Sequence, residues 1–315
     1  MAENILFSLD RVLPFFLLIL LGYGLKTLKI IPEAFLSSVN RYVYRVALPV
    51  NLFISTATMD MSGENHSRFL VWAFLLTVGA ALVIWGITEL IFPDKKIIGT
   101  LVQGAFRSNY SLLGIPLATA VVGTSAAAPA AMALAVIVPT YAILSVIVLF
   151  TRGTSTEKPN LKKILVGVIS QPVFLGTLLG LVTGMVRIPL PNVLLQTMNQ
   201  VAGTATPLGL MAIGGLFDAK IATARLKPAL YSAVIKIVLL PTVVVGIAYL
   251  LGFRGAALFL YFIMFGAPVA VSSYSTASEL GGDPHIASNI MIVTTLVSSL
   301  TLSLGIYIMR SLGWI

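Results

Sequence analysis

The chain has 315 residues, of which 58% are hydrophobic and only 10% are charged. A soluble domain carries about a quarter charged residues, so this composition excludes a surface that faces water alone and predicts an integral membrane protein. The net charge of +9 comes from loops between apolar runs, which excludes nucleic acid as the partner and makes the charges a topology signal. The chain has no cysteine and two isolated histidines, so we expect no disulfide, no metal site and no cofactor.

Ten apolar runs approach or exceed the roughly 20 helical residues that cross a bilayer. They predict an all-α membrane protein with ten transmembrane helices in one unit, 1–315. The predicted spans are 5–25, 34–58, 68–92, 97–123, 128–150, 164–186, 193–217, 228–251, 256–280 and 286–310. A polar linker, 151–163, separates a first half (5–150) from a second half (164–310).

The basic residues predict the orientation of these helices. Eleven Lys and Arg residues fall in the loops on the side of the linker, against five on the side of the termini. By the positive-inside rule, the linker is cytoplasmic and both termini lie outside the inner membrane. Arg41 and Arg45 lie near the cytoplasmic end of the second span, and we expect both side chains to reach toward lipid headgroups.

Matched prolines and glycines indicate that the two halves are repeats. The pairs that are 158 positions apart are Pro14 with Pro172 (172 − 14), Gly22 with Gly180, and Pro49 with Pro207; those 152 apart are Gly114 with Gly266 (266 − 114) and Pro116 with Pro268. Each half has five spans, and because five is odd the second half enters the membrane from the opposite side. The sequence therefore predicts an inverted repeat, which is typical of secondary transporters.

Two Gly-x-Pro motifs predict broken helices in the fourth and ninth spans. They are Gly114-Ile115-Pro116 and Gly266-Ala267-Pro268. Proline removes a backbone donor, and glycine lets the chain leave helical geometry. Freed backbone groups in a membrane need partners or a wet cavity, and half-helix N-termini favour anions. The competing interpretation is that each motif only kinks its helix.

Polar residues near these motifs are the candidate binding residues. Arg107, Ser108, Asn109 and Tyr110 lead into the first motif. A charge at this depth is costly, so Arg107 should face a cavity or a partner. Interhelical hydrogen bonding is the alternative role for the polar side chains.

Four further residues are candidates from their places in the repeat. Asn51 follows Pro49, and Gln200 precedes Pro207; both are expected to line the cavity. Lys236, five residues before Pro241, either neutralises an anionic substrate, replaces a coupling cation or pairs with a carboxylate. Glu279 ends the ninth span and is either linked to a coupling proton or solvated.

Several strings resemble the auxin efflux carrier family, the bacterial relatives of the plant PIN-formed transporters, over essentially the whole chain. The strings are NYSLLGIPL at 109–117, PLGLMAIGGLF at 207–217, ALPVNLFIS from Ala47, Lys236 with Pro241, and the stretch from Pro268 through Glu279 to Pro284 and Ser288. The resemblance implies ten helices in two inverted repeats, as in sodium/proton antiporter-like and bile-acid-carrier-like folds. It also implies a scaffold of spans 1, 2, 6 and 7 and a transport domain of spans 3–5 and 8–10.

The same resemblance implies roles for individual residues. Pro116 and Pro268 would mark the crossover of the broken helices, and Asn109 would contact a substrate carboxylate. Lys236 stands where plant members have arginine, and the short linker lacks their long hydrophilic insert. The substrate class implied is a carboxylate, either a dicarboxylate such as malonate or malate or an auxin-like acid.

We therefore expect a secondary active or facilitative transporter that moves a small organic anion across the inner membrane by alternating access. The runner-up is a sodium- or proton-coupled symporter of the bile-acid-carrier type, and a membrane sensor without transport ranks below it. An enzyme is not expected, because the sequence has no P-loop and no hydrolase or metalloprotease motif. The expected partners are the anion, a proton or sodium ion, the lipid bilayer and a second copy bound through the scaffold helices.

Overall fold

The described part of the chain is helical and contains no β-strand. The structure, a computed structural model, describes residues 2–58, 66–152, 166, 169, 172–215 and 225–315. Its helices are α1 (Ala2–Thr27), α2 (Glu33–Tyr42), α3 (Leu48–Ala57), α4 (Ser67–Ile91), α5 (Lys95–Phe106), α6 (Ile115–Val122), α7 (Ala127–Arg152), α8 (Pro172–Val186), α9 (Asn192–Gly203), α10 (Ala205–Gly215), α11 (Leu226–Val234), α12 (Leu240–Leu250), α13 (Gly255–Gly266), α14 (Ser272–Glu279) and α15 (Pro284–Ser311).

Five helices in this part of the chain are long and apolar enough to cross a membrane by length and composition. They are Glu3–Thr27, Ser67–Ile91, Thr124–Arg152, Leu226–Leu250 and Pro284–Ser311. The all-helical, multi-pass membrane class is thereby confirmed, while the count of ten crossings stays a prediction. Most of the predicted linker, 153–163, lies outside the described residues.

Three π-helical turns each end just before a proline in the next helix. Val43–Ala47 precedes Pro49, Tyr110–Gly114 precedes Pro116, and Ile235–Leu239 precedes Pro241; each proline lies in the first two positions of its helix. Proline lacks an N–H and collides with the carbonyl four residues earlier in an α-helix. Each π turn widens the backbone where that carbonyl lies, so the chain passes the proline without a break.

The first halves of the two interrupted segments form the centre of the molecule. Every residue from Ile97 to Phe106 in α5 and from Leu258 to Gly266 in α13 is buried. The outer helices α1, α4 and α8 instead expose large apolar side chains, among them Leu17, Leu82 and Leu179. This distribution suits a lipid environment, in which an outward-facing leucine costs nothing.

Glycines bring two helix pairs into backbone contact. A Cβ atom added at Gly22 of α1 would lie 1.9 Å from the carbonyl oxygen of Met211 in α10. A Cβ added at Gly180 of α8 would lie 2.4 Å from the carbonyl oxygen of Phe53 in α3. Any larger residue would separate these helices, so both positions require glycine for close approach.

A charged cluster joins α4, α5 and α7 at one end of the molecule. Glu89 accepts a hydrogen bond from Trp85 Nε1 at 2.9 Å, pairs with Lys95 at 3.1 Å and binds Arg152. A carboxylate near the end of an apolar helix thus gains three partners from three helices. The cluster thereby ties the ends of α4 and α7 to the start of α5, which is one of the two buried central helices.

Candidate functional site

Two interruptions of helical backbone lie near the middle of the molecule. The first separates α5 from the π turn before α6, and Arg107 there is extended, with φ −74° and ψ 134°. The second separates α13 from α14, and Ala267 is extended in the same way, with φ −62° and ψ 147°. Ala267 precedes Pro268, and a residue before proline is disfavoured in helical geometry.

The first interruption is not where its Gly-x-Pro motif predicts it. The break spans 107–109, upstream of Gly114, whereas Pro116 lies in the first turn of α6. The second motif does mark its break, because Gly266 ends α13 and Pro268 follows it. The π turn Tyr110–Gly114 makes room for Pro116, so the helix needs no break at this proline. The first Gly-x-Pro motif therefore lies after its break, whereas the second lies at its break.

Gly114 has a packing role at its actual position. A Cβ atom there would lie 2.7 Å from the ring of Tyr110 and 2.9 Å from Ile263 of α13. Tyr110 is buried, and its hydroxyl has no partner among the described residues. Gly114 thus lets the π turn approach α13, and Tyr110 belongs to the core beside the break.

The two breaks contact each other through their backbones. The Asn109 N–H donates to the carbonyl oxygen of Pro268 at 2.7 Å, and Ser108 Oγ donates to the carbonyl oxygen of Ala267 at 3.3 Å. The Val269 N–H donates to Thr294 Oγ1 of α15 at 3.2 Å. Backbone groups freed from helices are therefore paired across the crossover, as an apolar interior requires.

A cavity of about 300 Å³ lies beside this crossover. It has walls from both interrupted segments, from α7, from the start of α8 and from the π turn after α2. Its polar and charged lining residues in the described part of the chain are Tyr44, Arg45, Arg107, Ser108, Asn109, Ser111, Tyr141 and Ser272. Of the predicted binding residues, Arg107, Ser108 and Asn109 therefore come together here.

Three polar atoms at this cavity have no hydrogen-bond partner among the described residues. They are the hydroxyls of Tyr44 and Tyr141 and Oδ1 of Asn109. Asn109 is 3% exposed and Tyr141 is 5% exposed. An unpaired buried polar atom costs about 1–3 kcal/mol, and such atoms are rare in native structures unless a ligand or water meets them. The cavity thus offers hydrogen-bonding capacity that the protein itself leaves unused.

Arg107 carries its charge into the cavity without a carboxylate partner in the described part of the structure. Its guanidinium donates to Thr276 Oγ1 at 3.0 Å and to Ser272 Oγ at 2.9 Å, both on α14. These hydroxyls orient the guanidinium but leave its charge uncompensated. An anion in the cavity would supply the missing charge.

The structure does not bring Asn51 or Gln200 to the crossover. Asn51 lines a separate cavity of about 940 Å³ together with Asn199, Arg68 and Phe253. Gln200 is exposed and lines neither cavity. Repeat position alone placed these two amides near Asn109, but they sit on α3 and α9, away from the break.

Lys236 is fully buried in the π turn before Pro241. Its Nζ donates to the carbonyl oxygen of Phe265, near the C-terminus of α13 and directly before the second break. Carbonyls at a helix C-terminus lack intrahelical donors and carry partial negative charge. Lys236 therefore caps the C-terminus of α13 and does not line the crossover cavity. The side chain of Glu279 lies outside the described part of the structure.

The family model described as membrane transport protein matches residues 7–306. The chain belongs to this family. The resemblance to the auxin efflux carriers is thereby confirmed, and the chain is a membrane transporter and not an enzyme.

Relatives cover nearly the whole chain at low identity. An "uncharacterized transporter" of Methanothermobacter thermautotrophicus is 23% identical over 94% of this chain and 97% of its own length. Another from Methanocaldococcus jannaschii is 22% identical over 98% of both chains. A protein of Rhizobium meliloti named "Putative malonate transporter" is 24% identical over 95% of both chains.

Tyr44, Arg45 and Tyr141 are among the lining residues of the crossover cavity that the sequence analysis did not predict to bind a ligand. Tyr44 lies between Tyr42 and Arg45 in a π turn, and Tyr141 lies in the apolar helix α7; neither position carries a functional signal in the sequence. Arg45 is exposed, and it also lines the cavity. Only the packing of α2, α7 and the first break brings these side chains together.

Proposed function

We propose that this transporter carries a small organic anion by alternating access, with the anion bound in the crossover cavity. The observation that carries the proposal is the oriented Arg107, whose charge no described carboxylate compensates, beside Asn109 Oδ1 and the Tyr141 hydroxyl, which have no partner among the described residues. A guanidinium in a low-dielectric site favours a carboxylate strongly, because the two ions form paired, charge-assisted hydrogen bonds. The hydroxyl of Tyr141 adds a donor for such a group.

The half-helices add to the preference for an anion. The π turn that leads into α6 begins at Tyr110, and α14 begins at Ser272, which lines the cavity. Both starts present backbone N–H groups and the positive end of a helix dipole near the crossover. Discontinuous helices that aim their N-termini at an anionic substrate are a recurring device of secondary transporters.

Glycine contacts support the proposal that the two halves are inverted repeats. Gly22 contacts Met211, and Gly180 contacts Phe53. These contacts are related by one offset, because 180 − 22 and 211 − 53 both equal 158. The same offset relates the contact of Gly214 with Ile19 to the hydrogen bond that Thr56 donates to Thr177, at 3.2 Å. We therefore propose ten crossings in two five-helix repeats, with both termini outside the inner membrane.

The cavities lie between the proposed scaffold and the proposed transport domain. The scaffold comprises α1–α3 and α8–α10, and the transport domain comprises α4–α7 and α11–α15. Tyr44 of the scaffold and Asn109 of the transport domain both line the crossover cavity, and Asn51 and Arg68 line the larger one in the same way. Movement of one domain past the other would connect the anion site first to one cavity and then to the other, as an elevator mechanism requires.

The position of Lys236 favours transport without sodium. Its ammonium group binds the Phe265 carbonyl, which is the kind of unwound or terminal carbonyl that coordinates sodium in broken-helix carriers. The Lys236 ammonium group therefore supplies, next to this carbonyl, the positive charge that a bound sodium ion would otherwise bring. Coupling to protons is the alternative that the uptake experiment below separates from uniport.

Replacing Lys236 with methionine should abolish transport. The Phe265 carbonyl then loses its hydrogen-bond donor, and the C-terminus of α13 loses the positive charge that compensates its dipole. Lys236→Arg should retain part of the activity, since arginine keeps both the hydrogen-bond donor and the positive charge. The measurement is initial anion uptake in proteoliposomes, with the amount of folded protein checked by size-exclusion chromatography. If Lys236→Met transports normally, the lysine has no part in the site. Sodium-stimulated uptake in that variant would show that sodium replaces the ammonium group.

The purified protein in liposomes should accumulate radiolabelled malonate saturably, above empty liposomes. Uptake is measured without gradients, then with imposed sodium and proton gradients, and then with competing carboxylates. We expect no stimulation by sodium. A protein that acts as a sensor would give no flux of any carboxylate, which would contradict the proposed function. Sodium-dependent flux would instead establish the symporter.

A further inference from the structure

Arg45 lies where two cavities meet. It lines the crossover cavity together with Arg107 and also lines an adjoining cavity of about 320 Å³ that includes Arg41. Tyr44 and Ser272 are shared by the same two cavities. The crossover cavity therefore continues toward the end of the molecule that carries α2, and Arg45 stands on this path.

The backbone explains why Arg45 faces the path. Tyr44 and Arg45 belong to the π turn Val43–Ala47, and the carbonyl that Pro49 would otherwise strike is that of Arg45. A π turn at such a place is often linked to function. Here it sets two polar side chains of an otherwise apolar segment against the interrupted helices.

The two arginines give the crossover cavity an excess of positive charge. No carboxylate is found among its described lining residues, and neither Arg45 nor Arg107 makes an ion pair with any described residue. Like charges that share a small cavity repel each other. One monovalent anion compensates a single guanidinium, whereas a dianion compensates both.

Hydrogen-bonding groups are present for two acidic groups as well. The hydroxyls of Tyr44 and Tyr141, which have no partner in the described part of the chain, supplement the two guanidinium groups, and Asn109 adds an amide. A volume of about 300 Å³ is at the small end of ligand pockets, which run from roughly 300 to 1,000 Å³. The site therefore suits a short molecule with a charge at each end.

We propose that Arg45 is a second anion-binding residue and that the pair Arg45 and Arg107 selects short dicarboxylates over monocarboxylates. The proposal rests on the proposed function, in which the crossover cavity is the transport site. Arg107 holds the carboxylate next to the breaks, and Arg45 holds the carboxylate nearer the adjoining cavity. Arg45, whose side chain is exposed as well as lining both cavities, is thus a specificity-determining residue.

The test compares malonate with malonamate, its monoamide, which has the same size and one charge less. Binding is measured by isothermal titration calorimetry at pH 7.5, and transport by counterflow in proteoliposomes. Wild type should bind malonate at least about tenfold more tightly, because malonamate gives up one charge-assisted contact to arginine. Arg45→Gln should lose this preference while its affinity for malonamate stays within about twofold.

Two variants make the result specific to the charge at position 45. Arg45→Lys should keep most of the preference, because it retains the cation. Lys96→Gln removes one positive charge from an exposed side chain that lines none of the cavities named above, and it should behave as wild type. Each variant is compared with wild type by size-exclusion chromatography and thermal midpoint.

The outcomes separate this inference from the function on which it rests. If wild type binds and transports malonamate as well as malonate, dianion selection is overturned and anion transport stands. If Arg45→Gln weakens both ligands equally, Arg45 has only a structural role. If Arg45→Gln fails to fold, wild type and Arg45→Lys still decide the charge preference. If wild type binds neither these ligands nor the longer pairs succinate with succinamate and glutarate with glutaramate, both the inference and the proposed site are wrong.

Discussion

Replacing Asn109 with alanine should abolish substrate binding and transport while leaving the thermal stability of the protein unchanged or higher. The Asn109 side chain enters the crossover cavity from the first break, and its Oδ1 has no partner among the described residues. Its contribution to the fold comes from its backbone N–H, which donates to Pro268 at 2.7 Å. Alanine keeps that N–H.

The energetic balance makes this substitution informative. A buried polar atom without a partner costs about 1–3 kcal/mol, so its removal relieves the empty protein of a cost. In the loaded protein the Nδ2 group of the same amide donates a hydrogen bond to the substrate carboxylate, and its loss leaves a buried carboxylate oxygen unpaired. We therefore expect affinity to fall by at least about tenfold and the thermal midpoint to stay level or rise.

Asn51→Ala is the matched control, because it removes the same side chain from the separate, larger cavity. Its effect on equilibrium binding at the crossover should be within about twofold, which is under 0.5 kcal/mol. Titration of purified protein with malonate and a thermal-shift measurement check both variants. Unchanged affinity in Asn109→Ala would remove this residue from the site, and a large loss of stability would assign it a structural role.

The sequence was enough to predict the helical membrane class and the family, and it pointed to the polar segment that lines the candidate site. Continuous apolar runs report helix positions directly, because lipid forbids other backbone structures. The polar run from Arg107 to Asn109 stood out for the same reason, since such residues are expensive at membrane depth. These signals are local, so one sequence carries them.

The position of the first break depends on contacts that no local pattern contains. Pro116 is accommodated by a π turn, while Ser108 and Asn109 leave helical geometry where the backbone of the second break supplies their partners. Tyr44 and Tyr141 likewise become lining residues of one cavity only when segments far apart in the sequence pack together. Proline motifs predicted that the helices are interrupted, but tertiary pairing decides where.

Gly22→Ala should strongly destabilise the protein, although alanine is the better helix former. The added Cβ would lie 1.9 Å from the carbonyl oxygen of Met211, which is backbone and cannot rotate away. Overpacking of this kind costs roughly 1–3 kcal/mol or more, against a gain of about 1 kcal/mol in helix propensity. Helices α1 and α10 would have to separate, and the thermal midpoint should fall by several degrees.

Gly24→Ala is the control on the same helix, because a Cβ there meets nothing within 4 Å. Gly24→Ala should gain only the higher helix propensity of alanine, so the thermal midpoint of the protein should rise. Gly180→Ala should behave like Gly22→Ala, since its Cβ would meet Phe53 and Thr56 at the repeat-related contact. Differential scanning fluorimetry of the three purified variants measures all of this. Equal midpoints for Gly22→Ala and Gly24→Ala would contradict the packing of α1 on α10, and a tolerated Gly180→Ala would remove the support that this contact gives to the two-repeat architecture.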